Sequence, residues 1–180
     1  IDQLPDSDDK TASYVNPGGT TEVTVPTLTG TDPEDGLLGS GNTVVIETLP
    51  ATGILYYDGT AVTAGQTITG YTPSLLTYDP ADGSSVAEFD YAFLDAAGEK
   101  DPSPATVTLT VDDLTISGTV YDDSDGGTID GLATNLIGTN TLYANLVDPV
   151  TGLTLVSLPV EPDGTYIFTT TNGVIANEDY

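Results

Sequence analysis

The residues best suited to chemistry are carboxylates clustered in one short loop, residues 121–131. The loop has the sequence YDDSDGGTIDG, with four aspartates and three glycines in eleven residues. The four aspartates are Asp122, Asp123, Asp125 and Asp130. Carboxylates this close repel one another unless a cation lies between them, and Ca²⁺ prefers several hard oxygen ligands of this kind. We therefore predict a Ca²⁺ site in this loop.

The spacing within the loop favours a metal site, although it does not match a complete EF-hand. Asp123 and Asp125 are two residues apart, as ligands on one side of a tight loop should be. Gly126 and Gly127 can adopt the positive φ angles that turn backbone carbonyl groups towards an ion. An EF-hand would need a Glu at its last position and flanking helices, and the sequence offers neither. The alternative is a solvated acidic turn.

The charge of the chain is strongly negative. Two basic residues, Lys10 and Lys100, stand against 28 acidic residues, so the net charge is −26. Nucleic acid is excluded as a partner because phosphate binding needs Lys and Arg, and an anionic membrane surface is disfavoured for the same reason. Self-repulsion on this scale destabilises a compact fold unless cations bind. Disorder and a halophilic surface are the alternatives, but the alternating strands oppose disorder and the acids cluster at turns.

The chain lacks the side chains on which most enzymes depend. It contains no His and no Cys, which excludes the common nucleophile–base pairs and disulfides. A glycosidase that uses only carboxylates would need a cleft, and the strand-associated glutamates have no Trp platform beside them. We therefore expect no catalysis. No apolar run reaches the roughly 18 residues of a transmembrane segment, so we expect no membrane insertion.

Short β-strands must position these acids. Apolar and polar residues alternate with a period of two in many segments, and Gly, Pro and Asp separate the segments. The clearest pair is residues 88–95 and 105–111, which predicts an antiparallel hairpin. Phe89, Tyr91 and Phe93 share one face of the first strand. With Tyr56 and Tyr57 they could form a sugar-stacking platform, but we expect the alternating aromatic residues to fill a core. Residues 58–59 (DG) predict a tight hairpin turn.

The number of strands predicts two domains. About seven short strands in the first ~100 residues suit a β-sandwich, and four more follow. We predict an all-β chain of two tandem antiparallel β-sandwich modules, residues 11–113 and 114–180, the second lacking an edge strand. Residues 1–10 are polar and acidic, which predicts a linker or a strand donated to a neighbouring subunit. The start at Ile1 indicates a mature product or an excised piece of a longer chain.

Five segments of the first module follow one another in a specific order. They are residues 28–36 (LTGTDPEDG), 49–56 (LPATGILY), 71–73 (YTP), 89–95 (FDYAFLD) and 105–111 (ATVTLTV). In this order the module resembles the cadherin-like and related Ig-like repeats of large bacterial surface proteins. The resemblance implies a β-sandwich and Ca²⁺ ligation by the acidic turn of Asp32, Glu34 and Asp35. A plain surface loop is the alternative for that turn.

The same resemblance extends to the boundary between the modules. In cadherin-like arrays an acidic pair at a junction helps to clamp adjacent domains through Ca²⁺, which implies this role for Asp112 and Asp113. Asp8 and Asp9 could act in the same way at the N-terminal junction. Other acids in loops are more simply explained as turn residues. They are Asp79, Asp82, Asp95 and Asp101.

The second module carries a different set of motifs. They are residues 116–123 (ISGTVYDD), the Asp-Gly pairs at 125–126 and 130–131, and residues 162–168 (PDGTYIF). With these it resembles carboxypeptidase-regulatory-like, or collagen-adhesin B-type, modules, in which a further strand follows. Some adhesin modules of this kind carry Lys–Asn isopeptide cross-links. Residues 114–180 contain no Lys, so such a bond is excluded within this module.

Together these features predict a structural stalk or filament segment of a bacterial cell-surface adhesin. The protein would be extracellular, and Ca²⁺ would stiffen its acidic turns and domain junctions. Its partners would be neighbouring modules or subunits of the same fibre, and an unidentified surface receptor or glycan. The alternative is a Ca²⁺-dependent carbohydrate-binding module, which exposed aromatic residues beside a metal site would favour.

Overall fold

The chain is all-β, as the sequence predicted. The computed structural model describes residues 3–122, 131–137 and 139–180. The chain divides into two compact units, Ile1–Asp112 and Asp113–Tyr180. Nearly all strand pairs are antiparallel, so the predicted fold class is confirmed. In the described part of the chain, no helix is long and apolar enough to cross a membrane.

The described residues of the first unit form twelve strands and one 3₁₀ turn at Pro73–Leu75. The strands are β1 (Asp6–Ser7), β2 (Lys10–Val15), β3 (Val23–Thr24), β4 (Gly30–Asp32), β5 (Gly36–Leu38), β6 (Thr43–Ile46), β7 (Ile54–Tyr57), β8 (Thr60–Ala61), β9 (Gln66–Ile68), β10 (Leu76–Asp79), β11 (Ser85–Leu94) and β12 (Ala105–Asp112). They form three sheets, in the orders β1-β4-β5, β3-β10-β7-β8 and β2-β12-β11-β6-β9. One continuous core joins these sheets.

The central hairpin of this unit confirms the predicted strand pair. Strand β11 lies antiparallel to β12, with Phe89 opposite Val107 and Tyr91 opposite Ala105. Because side chains alternate along a strand, the aromatic face of β11 turns inward as a set. Phe89, Tyr91 and Phe93 are all buried. These aromatic side chains form the core, so they offer no platform to a sugar.

The turn between β7 and β8 is also of the predicted type. Asp58 and Gly59 have φ angles of 50° and 69°. Positive φ at both central residues is typical of the type I′ turns that join two-residue hairpins. Tyr57 accordingly pairs with Thr60 across the turn.

The N-terminal residues differ from the prediction of a linker or a donated strand. Strand β1 pairs with β4, and β2 pairs in parallel with β12, from Lys10 beside Val107 to Val15 beside Asp112. From Asp6 onwards these residues therefore belong to the first unit itself. The physical reason is a set of long-range hydrogen bonds: the backbone N–H of buried Ser7 donates to Asp101, and its hydroxyl accepts from the backbone N–H of Phe93.

The described residues of the second unit form six strands and one 3₁₀ turn at Thr170–Asn172. The strands are β13 (Thr115–Thr119), β14 (Leu136–Ile137), β15 (Asn140–Thr141), β16 (Tyr143–Val147), β17 (Thr154–Pro159) and β18 (Thr165–Thr169). They pair as β13-β18, β14-β15 and β16-β17. The fully buried core is small, with Leu146, Phe168 and Val174 at its centre.

Candidate metal centre

The loop that the sequence singled out lies largely outside the described residues. This applies to Asp123, Asp125 and Asp130. Asp122 is described: it is exposed, and its backbone N–H donates to the carbonyl oxygen of Leu132 at 3.0 Å. The Ca²⁺ site predicted for this loop stays a prediction.

The second acidic segment, residues 31–36, forms the tight turn between β4 and β5. Asp32 pairs with Gly36, whose φ of +83° suits glycine at the turn. The Asp32 side chain folds back into the turn, where its Oδ1 accepts the backbone N–H groups of Glu34 at 2.8 Å and Asp35 at 2.7 Å. Asp32 is only 3% exposed, and its Oδ2 has no hydrogen-bond partner.

Glu34 and Asp35 are the other two predicted ligands of this turn. Both are exposed, and both accept hydrogen bonds from residues outside the turn. The Glu34 carboxylate accepts the backbone N–H and the side-chain amide of Gln3, both at 3.3 Å. Asp35 Oδ2 accepts the backbone N–H of Ala96 at 2.7 Å. The three acids of this turn therefore accept hydrogen bonds from three different parts of the chain.

Asp95, just beyond the end of β11, is a second buried carboxylate with a free oxygen. Its Oδ1 accepts the backbone N–H of Glu99 at 2.8 Å, and its own N–H donates to the Glu99 carbonyl at 3.0 Å. Asp95 is 8% exposed, and its Oδ2 has no hydrogen-bond partner. From the sequence alone, Asp95 is most simply explained as a turn residue. The available signal was the alternation of β11, which places Asp95 on the same inward face as Phe93.

Strands β4 and β11 bring Asp32 and Asp95 to the same end of the first unit. Gly30 faces the Phe93 ring so closely that a Cβ at Gly30 would lie 3.3 Å from Phe93 Cδ2. Asp32 and Asp95 each lie two residues beyond this contact, on the buried face of their strands. The hydrogen bond between Asp35 and Ala96 then joins the two following turns. The two unpartnered carboxylate oxygens thus belong to one end of the sandwich.

Asp101, in the loop before β12, is the third buried carboxylate of this region. It has no exposed surface, and both of its oxygens are in use. Its Oδ2 accepts the backbone N–H of Ser7 at 2.7 Å, and its Oδ1 accepts the N–H and hydroxyl of Ser103 at 2.8 and 2.9 Å. Asp101 therefore anchors β1 to this loop.

The two lysines of the chain bind other acids. Lys10 Nζ lies 3.5 Å from Asp8 Oδ2, and Lys100 Nζ lies 2.5 Å from Glu47 Oε1. Burying a carboxylate without a basic partner is unfavourable unless hydrogen bonds or a cation compensate its charge. Hydrogen bonds satisfy Asp101, but they satisfy only one oxygen of Asp32 and one of Asp95. Among the residues that the structure describes, no three acidic side chains converge on one point.

The hydroxyl group of Tyr91 contributes a neutral hydrogen bond near this end. Burial raises the pKa of Tyr91, so the hydroxyl stays protonated over the whole physiological range. It lies 2.5 Å from the carbonyl oxygen of Asp8 and so helps to hold the residues between β1 and β2.

Asp112 and Asp113, predicted to clamp the junction, have contacts within their own units. The Asp112 carbonyl accepts the backbone N–H of Asn16 at 2.7 Å. Asp113 Oδ1 accepts the N–H and hydroxyl of Thr170 at 3.1 and 2.7 Å. Their predicted role as Ca²⁺ ligands stays a prediction.

Comparison with known proteins identifies no family for this chain. No protein-family model and no curated protein sequence matches it. Among solved structures it is similar to BcpA, the major pilin subunit of Bacillus cereus, at 12% sequence identity and a TM-score of 0.36. The match covers 94% of this chain and 56% of the pilin, so this chain spans little more than half of that length. At this TM-score the two folds superimpose poorly, and the role of the pilin is not transferred to this chain.

Proposed function

We propose that this chain is a structural segment of an extracellular fibre or adhesin on a cell surface, with Ca²⁺ bound at its acidic turns. Neighbouring modules or subunits of the same fibre would be its immediate partners. The observation that carries the proposal is the parallel pairing of β2, near the start of the first unit, with β12, at its end.

Parallel pairing of these two strands fixes where the chain enters and leaves the first unit. The chain enters β2 at Lys10, beside Val107 near the start of β12, and it leaves β12 at Asp112, at the opposite end. A force applied through the two ends of this unit therefore pulls β2 and β12 in opposite directions along their length. All the hydrogen bonds between them then resist together, which suits a segment that transmits tension.

Composition and charge support the same function. The aromatic residues of β11 fill the core, and both lysines bind acids at the surface. The chain carries a net charge of −26, so cations that neutralise clustered acids would stabilise it. The carbohydrate-binding alternative loses three of its five candidate aromatic residues, because Phe89, Tyr91 and Phe93 are buried, whereas Tyr56 and Tyr57 are partly exposed.

Single-molecule force spectroscopy would test the proposed mechanical role. The chain contains no Cys, so pairs of introduced cysteines give specific attachment points. We expect Lys10→Cys with Asp112→Cys, which loads β2 and β12 in shear, to unfold at a higher force than Lys10→Cys with Pro104→Cys. The second pair shares the first attachment point but pulls from one end, so it separates hydrogen bonds one after another. Equal unfolding forces for the two pairs would overturn the proposal.

A further inference from the structure

We propose that Asp32 and Asp95 are ligands of one Ca²⁺ ion that ties the β4–β5 turn to the loop after β11. This rests on the proposed stabilisation by Ca²⁺ and assigns it to a particular site. The site differs from the one that the sequence predicted for this turn, because it excludes Glu34 and Asp35 and includes Asp95.

The unpartnered oxygens are the main support for this site. Within the described residues, three buried side-chain polar atoms have no hydrogen-bond partner: Asp32 Oδ2, Asp95 Oδ2 and Ser85 Oγ. Ser85 contributes a hydroxyl group, whereas Asp32 and Asp95 contribute carboxyl groups that are only 3% and 8% exposed. Carboxylate oxygens shielded from water and lacking a donor are the groups that a bound cation would compensate.

The remaining oxygens of both aspartates hold the side chains in place. Asp32 Oδ1 accepts two backbone N–H groups of its own turn, and Asp95 Oδ1 accepts the N–H of Glu99. Each carboxylate is therefore fixed by one oxygen and leaves the other for a ligand. This arrangement orients the ligand atoms before the ion binds, which lowers the entropy cost of binding.

The chemistry of the site favours Ca²⁺ over other ions. Two monodentate carboxylates would need backbone carbonyl oxygens and water to complete a shell, and Ca²⁺ accepts such mixed, irregular sets of six to eight oxygens. Mg²⁺ requires near-ideal octahedral geometry and loses its water reluctantly. The site has no nitrogen or sulfur ligand, because the chain contains no His and no Cys, which disfavours Zn²⁺.

An ion at this site would connect two sheets of the sandwich. Asp32 ends β4 in the three-stranded sheet, and Asp95 follows β11 in the five-stranded sheet. The Asp35–Ala96 hydrogen bond already joins the two turns at the surface. The ion would add a second, buried connection at the end where the chain enters the unit.

Neutral variants of the two aspartates test this assignment in the whole chain. Asn keeps the shape of Asp and can retain the Oδ1 hydrogen bonds, but it removes the charge at Oδ2. In EDTA, Asp95→Asn and Asp32→Asn should unfold at a higher temperature than the wild type, because each removes an uncompensated buried charge. In millimolar Ca²⁺ the wild type should instead unfold at a higher temperature than either variant. Calorimetric titration should show that each variant binds Ca²⁺ with an affinity roughly tenfold or more below that of the wild type.

Asp6→Asn is the matched control. It removes the same charge from an exposed residue of β1 at the same end of the unit, and we expect it to retain the wild-type response to Ca²⁺. If Ca²⁺ stabilises the wild type and both site variants equally, the ion binds elsewhere and this assignment is wrong while Ca²⁺ stabilisation survives. If Ca²⁺ stabilises neither the wild type nor any variant, both the assignment to Asp32 and Asp95 and the proposed stabilisation by Ca²⁺ are wrong. The force measurement above, made in EDTA, tests the mechanical role independently.

Discussion

Asp101 gives the sharpest test of how the first unit holds its N-terminal strand. Both of its carboxylate oxygens accept backbone N–H groups, from Ser7 on one side and Ser103 on the other. Asn offers one oxygen and one amide nitrogen, so it can satisfy only one of these donors whichever way it is turned. In Asp101→Asn the amide N–H₂ must therefore face a backbone N–H.

The size of the effect follows from burial. Ser103 is exposed, so water can replace its bonds to Asp101, whereas Ser7 is 9% exposed and Asp101 is fully buried. A hydrogen bond to a charged acceptor contributes about 1.5–3 kcal/mol, and an unsatisfied buried donor costs a similar amount. Neutralising a buried carboxylate that has no basic partner recovers part of this loss. We expect Asp101→Asn to lower the free energy of unfolding of the first unit by about 2 kcal/mol.

Urea unfolding followed by circular dichroism measures this loss, and hydrogen exchange locates it. All samples should contain EDTA, so that metal binding does not contribute. Exchange should accelerate in residues 6–15 and in the loop around Asp101. Ser103→Ala is the control: it removes one part-buried hydroxyl hydrogen bond of 2.9 Å and should cost about 0.5 kcal/mol. Wild-type stability and exchange in Asp101→Asn would refute the two-acceptor role of this carboxylate.

Two further predictions concern a glycine and a titrating carboxyl group. Gly53 has φ +71°, and a Cβ there would lie 2.5 Å from the Asp79 carbonyl oxygen and from the Tyr78 hydroxyl. We expect Gly53→Ala to cost about 3 kcal/mol in urea unfolding. Gly59→Ala, at φ +69° with open space around it, should cost only about 1 kcal/mol; equal losses would contradict the steric argument. Burial, then the charges of Glu22 and Asp82, raise the pKa of Asp79 above its ordinary 3.8. The folded state therefore binds this proton more tightly than the unfolded state, and stability falls as pH rises from 3.8 through the raised value. Asp79→Asn should abolish that fall and melt above the wild type at pH 7; parallel melting curves from pH 3 to 7 would contradict it.

The sequence predicted those parts of the fold in which interacting residues are close along the chain. The hairpin of β11 and β12 needs only the alternation of each strand and a loop between them, and both are visible in the sequence. The Asp58-Gly59 turn is likewise decided by two adjacent residues that accept positive φ. Local preferences and long-range packing agree at these places, so the local sequence pattern was sufficient to predict the hairpin and the turn.

The pairing of the N-terminal strands could not be predicted in this way. Residues 6–10 are polar and acidic, as a linker would be, and nothing in them specifies β4 or β12 as partners. What makes them strands is a set of bonds to distant residues, such as those between Ser7 and Asp101 and between Asp9 and Thr106. A parallel pair between the first and last parts of a unit leaves no sequence signal of its own.

The acidic turn shows a different limit of sequence reasoning. The spacing of Asp32, Glu34 and Asp35 indicated acids near one another, but it could not show which oxygens the backbone would occupy. In the fold, the N–H groups of the turn take one oxygen of Asp32, while Gln3 and Ala96 take Glu34 and Asp35. Whether a carboxylate is available to an ion thus depends on donors from other segments.

The proposed ion site and the proposed mechanical role meet at one end of the first unit. Under that role, tension would enter this unit through β1 and β2, and the hydrogen bond from Ser7 to Asp101 anchors β1 to the loop that begins at Asp95. An ion held by Asp32 and Asp95 would stiffen the same loop from its other end. The loop would then be fixed at both ends, so force on β2 would be transmitted to the shear contact with β12 instead of opening the loop first.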